Sequence, residues 1–402
     1  MLNPTVRGLR CSLSGEPADR PVLGRPAGLC RCCPSPGAPL VVEYDLEVVR
    51  SRAGDPPWRA KGGLDAFAEL LPVVEPGPGY WRDVGDTPVT HQPGLSDLFD
   101  VHLTVKHEGG NPSGSFKDRG LAVAVALGVA CGARRFCLPT QGNAGVAAAL
   151  FSARAGIDGA VVAMPDGYQD SPYHRMARLY GADVRFGGAT IAEAGRALRT
   201  ELTRELASGD IVDVSTFFEP GRLEGKKTMG LELVRDLEPS DFPDVILYPT
   251  GGGTGLVGLA KAFSECVDLG VLDVSAIPRL VAVQVDRCAP VVDAWTRGAE
   301  RVDAVTSRGT IADGLDVPGA IMGHDILRAL RETGGRAVAV AEDTLLPAAR
   351  RAGRHGLPAG LESAALLAAL DVLRQTSWIA PGERVLLLVT SGPQVAVAQH
   401  RL

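Results

Sequence analysis

The stretch Glu108-Gly-Gly-Asn-Pro-Ser-Gly-Ser-Phe-Lys117-Asp-Arg-Gly120 decides how the chain is interpreted. It follows a strand-like run and precedes a helix-like, alanine-rich run. Asn111, Pro112 and Gly114 favour a tight turn that would present Lys117 at the start of a helix. A lysine held there and partly removed from water can act as a neutral amine nucleophile. The alternative is an ordinary helix start with Ser115 as its cap and a solvated lysine.

Short strand patterns and helical patterns alternate on both sides of this turn, from about residue 63 onward. Such alternation predicts an α/β fold with mostly parallel sheets flanked by helices. The predicted strands are Val101–Lys106, Arg135–Leu138, Gly159–Ala163, Asp183–Phe186, Ile211–Val214, Asp244–Leu247, Leu280–Val285, Arg336–Val340 and Val385–Val389. Helices are predicted at Ala144–Ala155, Ile191–Leu206 and Thr344–Arg354, and a long loop or lid at Pro290–Pro318.

The same patterns suggest a division of the chain. Residues 1–62 are rich in proline, glycine, arginine and cysteine, and we expect an irregular N-terminal arm there. Residues 63–127 plus 223–402 are expected to form a larger domain, and residues 128–222 a smaller one. Ligands of such folds bind at the carboxyl ends of the strands, where the lysine turn and the two turns described next fall.

A second strand-to-helix turn is Pro139-Thr-Gln-Gly-Asn143-Ala-Gly145. The Asn143 amide could donate a hydrogen bond to a phenolate oxygen, and the backbone N–H groups of the following helix suit a carboxylate. The alternative is an ordinary helix cap, because asparagine is a favoured capping residue.

A third such turn is Pro249-Thr-Gly-Gly-Gly-Thr254-Gly255. Successive glycines allow backbone N–H groups to converge on a phosphate, and a threonine hydroxyl can add a hydrogen bond. A flexible turn is one alternative. A dinucleotide site is another alternative, since Gly253, Gly255 and Gly258 fit its glycine spacing, although the acidic residue at the end of the next strand, Asp286, lies about 30 positions on instead of the roughly 20 of that fingerprint.

Together these turns resemble those of the threonine synthase family, among the fold-type II enzymes that use pyridoxal 5′-phosphate (PLP). The resemblance implies a Schiff base between PLP and Lys117, which would also move the substrate's α-proton. It implies a hydroxyl near the pyridine nitrogen at the end of the last strand, with Thr390 favoured over Ser391. The cofactor-binding residues implied are Phe116, Lys117, Asn143, Gly251, Gly252, Gly253, Thr254, Gly255 and Thr390.

The segment Glu219-Pro-Gly-Arg222-Leu-Glu-Gly-Lys-Lys-Thr228 resembles the family segment whose arginine binds a substrate phosphate. An ion pair is the alternative role of that arginine. The resemblance implies substrate contacts from Thr140, Gln141, Gly142, Thr216 and Arg222. The implied reaction converts O-phospho-L-homoserine and water to L-threonine and phosphate. Alternatives are another elimination or replacement reaction, such as that of a serine/threonine ammonia-lyase or a cysteate-synthase-like enzyme, or an interaction protein on a retired enzyme scaffold.

The composition of the chain argues against two classes of binding partner. The formal net charge is −6 and no basic run is present, which argues against nucleic acid and anionic membranes. The N-terminal residues lack a signal-peptide pattern, so a cytoplasmic location is expected. The family resemblance implies a homodimer.

Cys11, Cys30, Cys32 and Cys33 cluster in the N-terminal arm. The arm resembles the zinc-ribbon-like start of some relatives, which has two Cys-x-x-Cys pairs. Here Ser14 replaces one cysteine, and Cys32 could substitute only with altered geometry. A tetrahedral thiolate site needs four ligands. We therefore expect a metal-free arm, with Cys11, Cys30 and Cys33 as the weaker metal candidates.

Overall fold

The structure is a computed structural model. It describes residues 1–18, 29–33, 37–52, 58, 62–74, 76–77 and 79–400. The strands are β1 Val6–Cys11, β2 Leu40–Tyr44, β3 Val89–His91, β4 His102–His107, β5 Arg135–Pro139, β6 Ala160–Met164, β7 Asp183–Phe186, β8 Ile211–Asp213, β9 Val245–Pro249, β10 Arg279–Val285, β11 Arg336–Val340 and β12 Arg384–Val389. The helices are α1 Leu46–Arg52, α2 Pro93–Phe99, α3 Lys117–Ala130, α4 Asn143–Arg154, α5 Pro172–Leu179, α6 Ile191–Glu201, α7 Thr203–Ser208, α8 Gly221–Asp236, α9 Thr254–Asp268, α10 Pro290–Thr296, α11 Gly323–Glu332, α12 Leu345–Arg354, α13 Leu361–Gln375 and α14 Gln394–His400.

The first compact unit comprises Met1–Asp86, Asn111–Ser113 and Lys117–Thr228. Its main sheet is fully parallel, with the strand order β7-β6-β5-β8. Helices α4 and α6 pack on β5 and β6, and α3 packs on α4. Every residue of β6 is buried, which is typical of a central parallel strand. The arm adds an antiparallel pair, β1 and β2.

The second compact unit comprises Thr87–Gly110, Gly114–Phe116 and Met229–Leu402. Its sheet has the order β11-β10-β9-β12-β4-β3, and only the edge strand β3 is antiparallel to its neighbour. The neighbouring parallel strands β9, β12 and β4 therefore end at the same edge of the sheet. Helix α13 packs on β9, β10, β11 and β12 and closes the apolar core of this unit.

All nine predicted strands are present, with shifts of at most two residues at their ends. Three strands were missed: β1 and β2 lie in the arm expected to be irregular, and β3 has only three residues. The predicted helix Ile191–Leu206 is two helices, α6 and α7, because the backbone leaves helical geometry at Leu202. The predicted loop Pro290–Pro318 begins with a helix, α10.

The compact units differ from the predicted domains. Residues 1–86 and 117–127 belong to the unit of the smaller sheet, because α3 packs on α4. The sequence-based boundaries stay a prediction. Within the described residues, no helix is both long and apolar enough to cross a membrane.

Candidate active site

Lys117 is the first residue of α3, as the turn chemistry predicted. Three hydrogen bonds between two pairs of residues hold the turn in the first unit. The Ser113 N–H donates to Asp118 Oδ2 over 2.6 Å, and the Ser113 hydroxyl donates to Asp118 Oδ1. The Asn111 side chain accepts a hydrogen bond from the Gly85 N–H at 2.9 Å. The start of α3 is therefore fixed by its own loop, which gives the Lys117 backbone one defined position.

Helix α8 approaches α3 closely because glycines line both helices. A Cβ on Gly225 would overlap the Arg119 carbonyl oxygen, and one on Gly120 would lie 2.8 Å from the Arg222 carbonyl oxygen. A Cβ on Gly221 would lie 2.8 Å from Ala124 Cα. Side chains on these positions would push the helices apart, so the glycines bring the Lys117 helix and the Arg222 helix together.

Arg222 is 2% exposed and lies in the first turn of α8. Its Nη1 donates to the Val214 carbonyl oxygen at 2.9 Å, whereas its Nε has no hydrogen-bond partner among the described residues. Glu219 accepts hydrogen bonds from the Arg222 and Gly221 N–H groups. Burial lowers the pKa of Arg222 and raises that of Glu219 to about 7. A buried guanidinium with a spare donor suits an anionic ligand.

Lys226 is one functional residue that the sequence reasoning missed. It lies one helical turn after Arg222 and is 1% exposed. Burial, and then the positive charges of Lys117 and Arg222, hold its pKa well below the usual range, while Glu219 acts in the opposite direction. Lysine is scarce in this chain, with six in all, and two of them, Lys226 and Lys227, lie in α8; their burial there is visible only in the structure.

The asparagine turn leads from β5 into α4, and its details argue against Asn143 as a cap. The cap position is held by Gly142, with no side-chain cap hydrogen bond, and Asn143 is the first helical residue. Thr140 Oγ1 accepts a hydrogen bond from the Gly142 N–H at 3.0 Å. Tyr173 lies against Gly142, where a Cβ would come within 3.1 Å of its ring. Gln141 and Asn143 are half-buried at this turn.

Thr216 follows β8 and is half-buried. The next residue, Phe217, is buried and has a φ of 68°, a backbone conformation that costs a non-glycine residue free energy. Nearby, Ser215 donates its N–H to Asp213, which also pairs with Arg199 at 2.7 Å. The segment that leads to Arg222 is therefore held in a strained shape, a feature that the sequence did not indicate.

The second unit contains the glycine turn, between β9 and α9. Gly253 caps α9 with a φ of 77° and offers no side-chain cap, so backbone N–H groups of the first turn point out of the helix end. A Cβ on Gly253 would overlap Ile326, and one on Gly251 would overlap the Gly314 carbonyl oxygen. Thr254 is buried and Gly252 half-buried. A turn of this kind can bind a phosphate through backbone groups alone.

The segment before Lys117 is joined to the end of β12. The Phe116 N–H donates to the Thr390 carbonyl oxygen at 2.9 Å, and Ser115 bridges to Ser391. Thr390 Oγ1 lies 3.4 Å from Ser363 Oγ, which accepts the Thr390 N–H at 3.0 Å. Thr390 is 4% exposed and Ser391 9%. The structure thus brings together two motifs, Phe116 and Thr390, that lie far apart in sequence.

Tyr248, also missed, connects these parts within the second unit. Its ring lies edge-on to Phe116, with 6.2 Å between the ring centroids. Its hydroxyl accepts the Gly255 N–H, and burial raises its pKa. Nothing in the sequence singles out a tyrosine within an apolar strand. The Glu362 carboxylate also supports the glycine turn. It accepts a hydrogen bond from the Gly314 N–H at 2.9 Å, and Gly314 lies against Gly251.

The weaker metal candidates Cys11, Cys30 and Cys33 lie together in the arm, and Cys32 lies with them. Cys32, which we expected to fit only with altered geometry, has its sulfur 3.9 Å from Cys33 Sγ and within 4.8 Å of the other two. The geometry of this group is developed below.

A family model described as "Pyridoxal-phosphate dependent enzyme" matches residues 80–391, more than half of the chain. The fold of the chain is also similar to that of a solved structure, an L-serine ammonia-lyase from Rhizomucor miehei. The two structures match with a TM-score of 0.67 at 19% sequence identity, and the match covers 79% of this chain and 98% of the ammonia-lyase. The α/β prediction with a fold-type II arrangement is confirmed. Fold and site thus define the class: a pyridoxal-phosphate-dependent enzyme.

Among curated proteins, the threonine synthase of Methanosarcina acetivorans is 31% identical over 326 residues, covering 81% of this chain and 78% of the relative. The threonine synthase of Methanocaldococcus jannaschii is 27% identical over 364 residues, covering 90% and 87%. The chain belongs to the threonine synthase family and is a PLP-dependent lyase. The glycine turn fits the phosphate of this cofactor, because the start of α9 has no side-chain cap at Gly253.

Proposed function

We propose that the chain is a threonine synthase that converts O-phospho-L-homoserine and water to L-threonine and phosphate. In this proposal Lys117 binds the cofactor covalently, and Gly251 to Gly255 bind its phosphate. Asn143 donates to its phenolate oxygen, Phe116 contacts its ring, and the Thr390 hydroxyl faces its pyridine nitrogen. The names of the curated relatives and the positions of these motifs at strand ends support the proposal.

When bound, pyridoxal phosphate supplies an electron sink for negative charge at the substrate's Cα and Cβ. The substrate's amine would displace the Lys117 amine from the cofactor, and the freed Lys117 amine would take the proton from Cα. A second proton then leaves Cβ. The Cγ–O bond then breaks, and its electron pair leaves on the phosphate. The hydroxyl of water binds Cβ and its proton goes with the phosphate, while the two protons removed earlier return to Cγ and Cα. Arg222 holds the phosphate throughout, with Thr140 and Thr216 beside it, and Gln141 and Gly142 position the carboxylate.

Buried positively charged side chains in the first unit carry the proposal. Arg222 and Lys226 are both at most 2% exposed, and the positive charge of Lys117 lowers the Lys226 pKa. Glu219 is the one carboxylate that raises the pKa of both residues. Burying cationic groups costs free energy, and an anionic ligand beside them offsets part of that cost. A doubly negative phosphoryl group would supply that negative charge, whereas serine and threonine would not.

The test measures phosphate release from phosphohomoserine and keto-acid formation from serine and threonine, for the native chain and for Arg222→Ala. We expect the native chain to release phosphate and form threonine in equal amounts. We expect Arg222→Ala to lower kcat/KM for phosphohomoserine by about 100-fold or more, the cost of removing a buried partner of a charged group. Arg287→Ala, on an exposed loop of the second unit, is the matched control.

Two results would contradict the proposal. One is turnover of serine or threonine without turnover of phosphohomoserine, which would favour the ammonia-lyase alternative. The other is undiminished phosphohomoserine turnover by Arg222→Ala. A homodimer in the cytoplasm remains our expectation from the family resemblance, and sedimentation of the purified chain would test the dimer.

A further inference from the structure

The N-terminal arm gathers four cysteine sulfurs in the first unit. Cys11 ends β1, and Cys30, Cys32 and Cys33 precede β2, its antiparallel partner. The four Sγ atoms all lie within 4.8 Å of one another. Cys11 and Cys30 are buried, Cys33 is half-buried and Cys32 is exposed. No other group of three or more potential metal ligands occurs in the part of the chain that the structure describes.

The sulfur spacing is that of a metal-thiolate tetrahedron. Zinc binds four thiolates at about 2.3 Å, which places neighbouring sulfurs about 3.8 Å apart. The recorded Sγ–Sγ distances are 3.3 Å for Cys11–Cys30, 3.5 Å for Cys11–Cys33 and 3.9 Å for Cys32–Cys33. A disulfide would join two sulfurs at about 2.05 Å and leave the others apart. Four mutually close sulfurs indicate one shared ion instead of one covalent pair.

Backbone N–H groups already point at two of the sulfurs. The Ser14 N–H donates to Cys11 Sγ at 3.4 Å, and the Ala38 N–H donates to Cys30 Sγ at 3.3 Å. Such donors stabilise negative charge on sulfur, which a thiolate ligand carries and a thiol does not. Gly37 makes this turn possible, because its φ is 93° and a Cβ there would overlap the Cys30 carbonyl oxygen. The loops are therefore shaped around the sulfurs.

From these observations we propose that Cys11, Cys30, Cys32 and Cys33 bind one zinc ion. Four thiolates with no vacant position make a structural site and not a catalytic one. The turn after β1 contributes only Cys11, because Ser14 replaces its second cysteine. Cys32 therefore supplies the fourth ligand. The ion binds as a divalent cation, and the four thiols release their protons to solvent.

The ion would fasten an arm that is otherwise small. A two-stranded sheet is marginal alone. At the far end of β2, the Tyr44 hydroxyl donates to Glu224 of α8 at 2.9 Å, and Lys227 Nζ lies 4.0 Å from the centre of the Tyr44 ring. Asn3 and Thr5 donate to backbone carbonyl oxygens of residues 68, 71 and 69. Zinc at one end and these contacts at the other would hold β1 and β2 against the unit.

The experiment measures metal content and thermal unfolding of the full chain purified with PLP. We expect about one zinc per native chain and far less in Cys32→Ser, which should also melt at a lower temperature. Cys131→Ser, at a half-buried cysteine outside the group, should keep both values. Cobalt in place of zinc in the native chain should give thiolate-to-cobalt absorption, a readout that needs no variant.

A second substitution should restore zinc binding to the Cys32→Ser variant. Ser14 Oγ lies 3.6 Å from Cys32 Sγ, so Ser14→Cys would place a new sulfur beside the one removed. The double variant Cys32→Ser/Ser14→Cys should regain zinc and melting temperature. A native chain without stoichiometric zinc, with iron in its place, or with Cys11 and Cys30 joined as a disulfide would overturn the proposal. Unchanged zinc content in Cys32→Ser would do so as well.

Discussion

The glycine turn before α9 and the first turn of α8 are both proposed to bind phosphate, but they are built differently. The glycine turn uses backbone N–H groups, and its shape depends on the absence of side chains at Gly251 and Gly253. The α8 turn uses the buried side chains of Arg222 and Lys226. One site depends on backbone shape, whereas the other depends on buried, positively charged side chains.

The difference matches the two phosphates proposed. The cofactor's phosphate stays bound through every cycle, so a rigid neutral cradle is sufficient for it. The substrate's phosphate arrives, becomes a leaving group and departs, so the site must stabilise the negative charge that grows as the Cγ–O bond breaks. We therefore expect the glycine turn to respond to added bulk and the α8 turn to respond to lost charge and to pH.

The largest effect is expected from Gly253→Ala. The new Cβ would overlap Ile326, and the φ of 77° would strain any residue with a side chain. Cofactor affinity should fall by about 100-fold or more, since roughly 1–3 kcal/mol of backbone strain adds to overpacking. Titration with PLP, followed by absorbance, measures it.

Gly270→Ala is the matched control, since Gly270 has a φ of 76° with no atom near its Cβ position. This variant carries the strain without the overlap, and it should lose stability while keeping cofactor affinity. Equal losses of affinity in both variants would mean that the cradle does not depend on shape.

Lys226→Gln should have the next largest effect, and on substrate only. Removing a buried cation beside Arg222 should raise KM for phosphohomoserine by about 10- to 100-fold, on the scale of a lost charge-assisted hydrogen bond. PLP affinity should stay unchanged. Lys261→Gln, at an ion-paired lysine on α9, serves as the control in the same steady-state assay. A fall in PLP affinity without a change in KM would assign Lys226 to the cofactor instead.

A smaller effect is expected at the end of β12. Thr390→Val removes the hydroxyl that we place at the pyridine nitrogen, and kcat should fall about 10-fold with a shift in cofactor absorbance, since the hydrogen bond is worth about 1 kcal/mol. Ser391→Ala should change neither. The opposite pattern would move the role to Ser391 and leave the rest of the site intact.

The smallest effect concerns pH and Glu219. Burial raises the pKa of this carboxyl to about 7, so the folded chain binds more protons here than the unfolded chain does. The stability that Glu219 contributes is therefore complete below its unfolded pKa and is lost as the pH rises through about 7. Relative to Glu219→Gln, the free energy of unfolding of the native chain should decline between pH 5 and 8 by on the order of 1 kcal/mol. Urea denaturation of both proteins measures it, and parallel pH profiles would show that the carboxyl is not perturbed.

Strand positions could be predicted because parallel strands buried on both faces are continuous apolar runs, as in β9 and β12. The loops were predictable because the turns that carry Asn143 and Gly253 follow such runs within four residues, and the Lys117 turn begins at the residue after β4. Strands β1 and β2 were missed because proline and glycine around them obscure the alternation that β2 shows in burial. Lys226 and Tyr248 were missed because their roles depend on which groups surround them in the fold, and no local pattern encodes that.

The covalent bond between Lys117 and the cofactor is the central claim about this protein. Borohydride reduction of the cofactor-loaded chain would fix PLP to the amine that holds it, and peptide mass spectrometry would locate it among six lysines. We predict a label on Lys117 alone. A label on Lys226, the buried lysine whose pKa lies well below its usual range, or no label on any lysine, would contradict this assignment.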